Sequence, residues 1–248
     1  MEYVELLRVR RALVWFVVAL AFVLVMVNLV LHGKGGFTIH IGFGKDGVAA
    51  GDLVLLGGLG ALFLAAVFAG NLPGESTTLP FLWTKPVSRT ALAYRFVAVD
   101  VLGMIGGIVA TALAAVIVIA GLGQIRAIHL DRALLSDAAL ALGAPLAWYG
   151  LTFLAAARLR PEGVARAGAL SWPVFIVIAM LTTVTLPPPL HGLVLALDHL
   201  NPLAYIAGGD QKGMGLLSAA PAIRGAACWA IALVTIPAAI RLWTVREA

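Results

Sequence analysis

The feature that most constrains this chain is the run Ala12 to Leu31, 20 residues without a single charge. A helix crossing about 30 Å of hydrocarbon takes roughly 20 residues, so this run is long enough to span a bilayer. Five more apolar runs follow, at about 53–69, 96–120, 138–157, 167–186 and 216–240. Composition agrees: 62% of residues are hydrophobic and 12% charged, whereas soluble domains carry about 45–50% and 25%. Lipid must be the main solvent, and the expectation is an all-α membrane protein with six transmembrane helices.

The chain of 248 residues has room for six spans and short loops, and is read as a single transmembrane domain over 1–248. Ala19-Leu20-Ala21 imitates a signal-peptidase site, but the apolar run continues past it, so the segment is expected to be retained. Arg224 interrupts the last run and is expected to snorkel to the interface. Between the fifth and sixth spans, Asp198 and Pro202 break the apolar stretch Leu190 to Ile206 into short external helices. The alternation Phe37-Thr38-Ile39-His40-Ile41 reads as a short strand in a hairpin lid.

Orientation follows from the basic residues, which are retained on the cytoplasmic side. Alternate loops hold 11 and 6 of the 17 Lys and Arg, and the richer side holds both termini. The chain is thus expected to be multi-pass in the cell inner (plasma) membrane with both ends cytoplasmic. A net charge of +5 is scattered through loops, which argues for topology and against nucleic acid.

No phosphate loop of the form GxxxxGK[ST], no HExxH and no GxSxG elbow occurs. The lone Cys228 excludes an intrachain disulfide. The expectation is therefore a chain that is not itself an enzyme, with no catalytic residue, bound cofactor or metal site. His191, Asp198 and His199 lie close in sequence, but loop histidines are ordinarily solvated. Asp100 is the acid inside an otherwise apolar span. It is read as pairing near the cytoplasmic end with Arg95 or a first-helix arginine, in preference to a proton relay, which needs a second titratable partner. Gly103 and Gly107 form a small-xxx-small face, and Gly57, Gly58 and Gly60 crowd the second helix, implying close helix approach. Pro145, Pro173 and Pro237 fall inside spans, where they kink or shape helices.

The longest inner connection runs from Asn71 to Arg95. Leu79, Phe81, Leu82 and Trp83 set an apolar patch beside Thr77, Thr78 and Thr84, and Pro86 and Ser88 mark a turn and a cap for the next helix. A short amphipathic element along the membrane is implied, as either a passive anchor or a surface that receives a partner protein.

With its Arg-rich leading segment, six spans and the pattern Glu75 followed by Thr84-Lys-Pro-Val-Ser-Arg89, the chain resembles the ABC-2 type permease family of ABC transporters. The resemblance implies that the loop is a cytoplasmic coupling helix between helices two and three, seated on a soluble ATPase subunit through Glu75, Thr77, Thr78, Phe81, Leu82, Trp83, Lys85, Pro86, Ser88 and Arg89. It also implies an amphipathic N-terminal interface helix with Glu5, Arg8, Arg10 and Arg11, two ATPase copies, and a second permease chain in a homo- or heterodimer. ATP and Mg would be bound by the ATPase. The implied function is export of an amphiphilic or hydrophobic substrate. The Gly-rich stretch Gly33 to Gly51 is longer than that family's pattern. An ion- or proton-coupled secondary transporter and a non-transporting membrane scaffold are the alternatives.

Overall fold

The computed structural model describes residues 7, 9–22, 48–70, 88–121, 125–159, 161–182, 184, 186–207 and 216–246. Nearly all of them are helical. In chain order the helices are α1 (9–22), α2 (Ala50–Gly70), α3 (Arg89–Gly121), α4 (Leu134–Arg158), α5 (Pro161–Thr182), α6 (Pro188–Asp198), α7 (Pro202–Ala207) and α8 (Pro221–Arg246). Two strands of two residues, β1 (Val48–Ala49) and β2 (Ile128–His129), pair in parallel. The expected strand at 37–41 lies outside the described residues.

Among the described residues, four helices, α2, α3, α4 and α8, are long and apolar enough to cross a membrane. In α5 the described apolar stretch is Ser171–Thr182, and α1 is described only to residue 22. Helix boundaries move outward from the apolar runs where polar residues can extend a helix into the interface. α3 begins seven residues before Phe96, at Arg89, because Thr90, Tyr94 and Arg95 can reach water while the backbone stays helical. α8 begins at Pro221, where a missing N–H costs nothing, so Arg224 sits in its first turn and does not interrupt a span. α5 ends at Thr182, and α6 starts at Pro188 after Pro187. The break at 199–201 between α6 and α7 matches the one expected from Asp198 and Pro202.

Lipid tails are as apolar as leucine, so helices in a bilayer associate through close packing rather than through the hydrophobic effect. The small residues show where this happens. α4 is the most enclosed of the four long helices, with 61% of its most apolar stretch buried against 33% for α3, and its largest partners are α8 and α2. Gly225 faces Leu140, Gly143 faces Cys228 and Trp229, and Gly150 faces Thr235. The constant offset of about 85 residues means that α4 and α8 run parallel and in register along their length. On the other flank, Gly58 of α2 backs onto Ala141, where an added methyl carbon would lie 2.9 Å from the carbonyl oxygen. Pro145, fully buried within α4, has no N–H to give that carbonyl. The freed oxygen faces Gly58, where a side chain would collide with it.

α3 lies antiparallel to α2, with Gly103 against Phe68 and Gly107 against Leu64 and Ala61, as the spacing of the two glycines implied. Gly103 also meets Val9 of α1, and Gly106 meets Leu13. The start of α1 and the end of α2 thus meet α3 at Gly103, about 21 Å along it, and the side toward which the first turns of α3 extend is here the terminal end. The start of α2, the end of α3 and the starts of α4 and α8 form the distal end.

The glycine seams yield opposite expectations for one substitution at two positions. Gly150→Ala drives its methyl into Thr235 and Ile236 and should lower the thermal unfolding midpoint in detergent, since overpacking costs about 1–3 kcal/mol. Gly192→Ala in α6 has nothing within 4 Å of the new methyl and should leave the midpoint unchanged or raise it by the equivalent of about 0.5–1 kcal/mol.

Candidate functional site

Three groups of polar residues break the apolar bundle. The first is at the terminal end. Arg10 and Arg11 are exposed on α1, and Ser88 caps α3: its hydroxyl accepts from the Ala91 N–H at 3.2 Å and its carbonyl from the Leu92 N–H at 3.0 Å. This is the cap expected from Ser88, and it directs the preceding chain into the helix at Arg89. Glu5, Arg8, Glu75, Thr77, Thr78, Phe81, Leu82, Trp83, Lys85 and Pro86 lie outside the described residues, as does the side chain of Arg89.

The second group is in the core. Asp100 lies three turns inside α3 and has no solvent exposure, surrounded by the cluster that includes Phe68, Phe96, Met104 and Phe153. Its Oδ2 accepts a hydrogen bond from the Tyr149 hydroxyl of α4 at 2.9 Å. That phenol, 49 residues away in sequence, is one partner of this acid. Arg95 is also engaged, and of the first-helix arginines Arg8 lies outside the described residues. Tyrosine suits the place, combining a large apolar ring with a donor at its tip.

The third group forms the distal end. Asn201 is fully buried. Its amide nitrogen donates to the Phe175 carbonyl of α5 at 3.1 Å and to Asp198 Oδ1 at 3.0 Å, and its Oδ1 accepts from the Leu203 N–H at 3.1 Å. One side chain thus joins α5, α6 and α7. Tyr205 donates to the His199 carbonyl at 3.0 Å, and burial pushes its phenol above the ordinary range, keeping it a donor. The Tyr205 carbonyl accepts from Arg224 at 2.7 Å. Arg224 is buried rather than snorkelling, its guanidinium held by the backbone carbonyl of α7.

Nearby, Asp137 in the first turn of α4 feels the charges of Asp131, Asp52 and Arg224, and the Gly51 N–H donates to Asp131 at 3.3 Å. The strand pairing of Val48 with Ile128 and Ala49 with His129 brings Gly51 and Asp131 together. His191, Asp198 and His199 do not converge on a metal position. Asp198 is engaged by Asn201, while His199 Nδ1 lies 2.8 Å from the Leu195 carbonyl. Among the described residues no three His, Cys, Asp or Glu side chains are grouped to hold a metal ion.

Sequence reasoning passed over Tyr149, Asn201 and Tyr205. Asn201 carried a usable signal, since an Asn three residues after an Asp and just before a proline is a turn former. Tyr149 carried none, because its pairing with Asp100 depends on how two helices face each other.

The bundle and its polar groups define an α-helical membrane protein. Compared with known proteins, the chain matches no family model, no curated protein and no solved structure.

The Asp100–Tyr149 bond can be weighed with Asp100→Asn, Tyr149→Phe and the double variant. In membrane proteins such side-chain bonds couple by about 0.6 kcal/mol on average and up to about 1.7. A double-mutant cycle on unfolding in detergent should return a coupling in that range. A value indistinguishable from zero would show that the two groups are merely adjacent.

Proposed function

We propose that this chain is the membrane subunit of an ATP-driven transporter of the ABC-2 permease type, exporting an amphiphilic or hydrophobic substrate with a separate ATPase subunit. In this reading six helices cross the plasma membrane: α1 continued toward Leu31, then α2, α3, α4, α5 and α8. The terminal end faces the cytoplasm.

The observation that carries the proposal is the shared location of three features. The start of α1 and the end of α2 both meet α3 at Gly103, on the half of the bundle from which α3 continues back to its Ser88 cap. The connection bearing Glu75 and the Thr84–Arg89 pattern leaves α2 and enters α3 on that side. An ATPase meeting the permease from one side needs both its contact elements on that side. The tie between Asp100 and Tyr149 further supports a structural role for this acid over a proton carrier. Trp83 and Arg89 would be the anchors in the ATPase groove, Glu75 would orient the loop, and two permease chains would pair with two ATPases that supply the ATP and Mg chemistry.

A second reading draws on the distal end. Asp52, Asp131, Asp137 and Arg224 interact electrostatically, which favours an ion- or proton-coupled secondary transporter more than the sequence alone did. Secondary transporters bind near mid-membrane on broken helices, whereas this cluster sits at or just before the starts of α2, α4 and α8, so the ATP-driven reading stands first.

Two measurements test the proposal. Cysteine placed at Ser136 should react with an impermeant reagent added from outside, and cysteine at Ser88 should not; the reverse pattern overturns the orientation. Interface energy concentrates in a few aromatic and arginine anchors, each costing about 2 kcal/mol or more when truncated. Trp83→Ala combined with Arg89→Ala should therefore detach or uncouple the ATPase in a pull-down, while Glu75→Ala should impair transport with less loss of assembly. Full retention with wild-type substrate-stimulated hydrolysis by the double variant would show that this loop is not the coupling element.

A further inference from the structure

At the start of α2 a glycine stands where two carboxylates meet. A methyl carbon on Gly51 would overlap Asp137 Oδ2 and lie 3.3 Å from Asp131 Oδ1, so both oxygens converge on the space that the missing side chain leaves open. Asp131 lies just before α4 and accepts the Gly51 N–H at 3.3 Å, while Asp137 comes from the first turn of α4. Only 5% of Asp137 is exposed. Among the described residues no group donates a hydrogen bond to its carboxylate, and neither acid forms an ion pair. A buried charge without such partners is costly, and a like charge beside it adds to the cost.

The surrounding groups do not relieve it. The described charges that act on Asp137 are Asp131, Asp52 and Arg224. Asp52 of α2 is exposed and has the same sign. Arg224 of α8 gives its Nη1 to the Tyr205 carbonyl of α7 at 2.7 Å, and its Nε is buried without a partner. Cys228, one turn further along α8, acts on Arg224 and Tyr205. His129 and Arg132, next to Asp131 in the chain, are exposed.

From this geometry we infer that Asp137 and Asp131 share one proton beside Gly51, a carboxyl–carboxylate pair that ties the start of α2 to the start of α4. One proton taken from solvent supplies the donor that no described neighbour gives Asp137 and halves the charge of the pair; the negative charge that remains faces the Gly51 N–H. A metal ion matches less well, since no group of three described His, Cys, Asp or Glu side chains is placed to hold one, and the Arg224 cation already acts on the same acid. The idle Nε of Arg224 is a donor in reserve for the deprotonated pair. The inference goes beyond transport and rests on neither reading of it.

The test uses the full chain in nanodiscs, read by infrared spectroscopy for the carbonyl band of a protonated carboxylic acid. The wild type should show that band at neutral pH in potassium buffer and lose it as pH rises. Asp137→Asn should abolish this component, and so should Asp131→Asn, whose amide offers Asp137 a hydrogen bond without a shared proton. Asp100→Asn, outside the pair, should keep it. The thermal midpoint is a second readout. A proton held by the folded chain and not by the unfolded one adds stability that is present below the titration and lost as pH rises through it. The wild-type midpoint should therefore fall across the interval in which the band disappears, and the midpoint of Asp131→Asn should not follow it, which decides the matter even if Asp137→Asn fails to fold. The inference is overturned if the wild type lacks the band, if the band survives Asp131→Asn, or if sodium in place of potassium removes it, marking a cation site.

Discussion

The approach of α2 and α8 to the backbone of α4 is the contact on which the rest of the bundle depends. No water is expelled when helices meet inside lipid, so stability comes from the number of atoms brought within van der Waals reach and from weak polar contacts. Gly58 against Ala141, and Gly143, Gly150 and Gly225 along the α4–α8 seam, provide that reach. Once α4 is clasped between α2 and α8, the outer surface of α2 sets where α3 and much of α5 lie. The large exposed side chains of α3, among them Leu113 and Ile117, are then left to face lipid or another protein.

A bundle built this way must also resolve its polar groups internally. Three threonines do so locally, returning their hydroxyls to the carbonyl four residues earlier: Thr111 to Gly107, Thr152 to Trp148 and Thr235 to Ile231, at 2.8–2.9 Å. Asp100 and Asn201 do so across helices, and the contrast between them is instructive. Asp100 joins two long helices in mid-bundle, whereas Asn201 fastens two short helices onto the end of a third. The indole N–H groups of Trp148 and Trp172 are buried without a partner, yet their rings pack edge-on against Phe175 at 5.5 and 6.2 Å. The aromatic contacts offset the unmet donors there.

The two ends differ in kind. The distal end is knitted by Asn201, Tyr205 and Arg224 and by the paired strands, and it gathers Asp52, Asp131, Asp137 and Asp198. The terminal end is basic, with exposed arginines on α1, and it anchors the connection between α2 and α3. Under the proposed reading, the ATPase would meet the basic end, while the short helices of the other end are held in place by buried hydrogen bonds.

What the sequence determined by itself is what depends on solvent and on local chain chemistry. Charge-free runs near 20 residues dictate helices in lipid; Ser88 dictates a helix start, and Asp198 with Pro202 a break, because caps and proline act within a few residues. The close-approach role of Gly103 and Gly107 was legible for the same reason, as residues four apart share a helix face. Only the tertiary structure decided which helix is central, that α4 and α8 run parallel with an offset of about 85, and that Asp100 meets Tyr149 and Arg224 meets the Tyr205 carbonyl. Those outcomes follow from how far helices extend past their apolar runs and how they rotate against one another. A single sequence does not encode either quantity in any local pattern, since helix rotation is set by the summed packing of all neighbours at once.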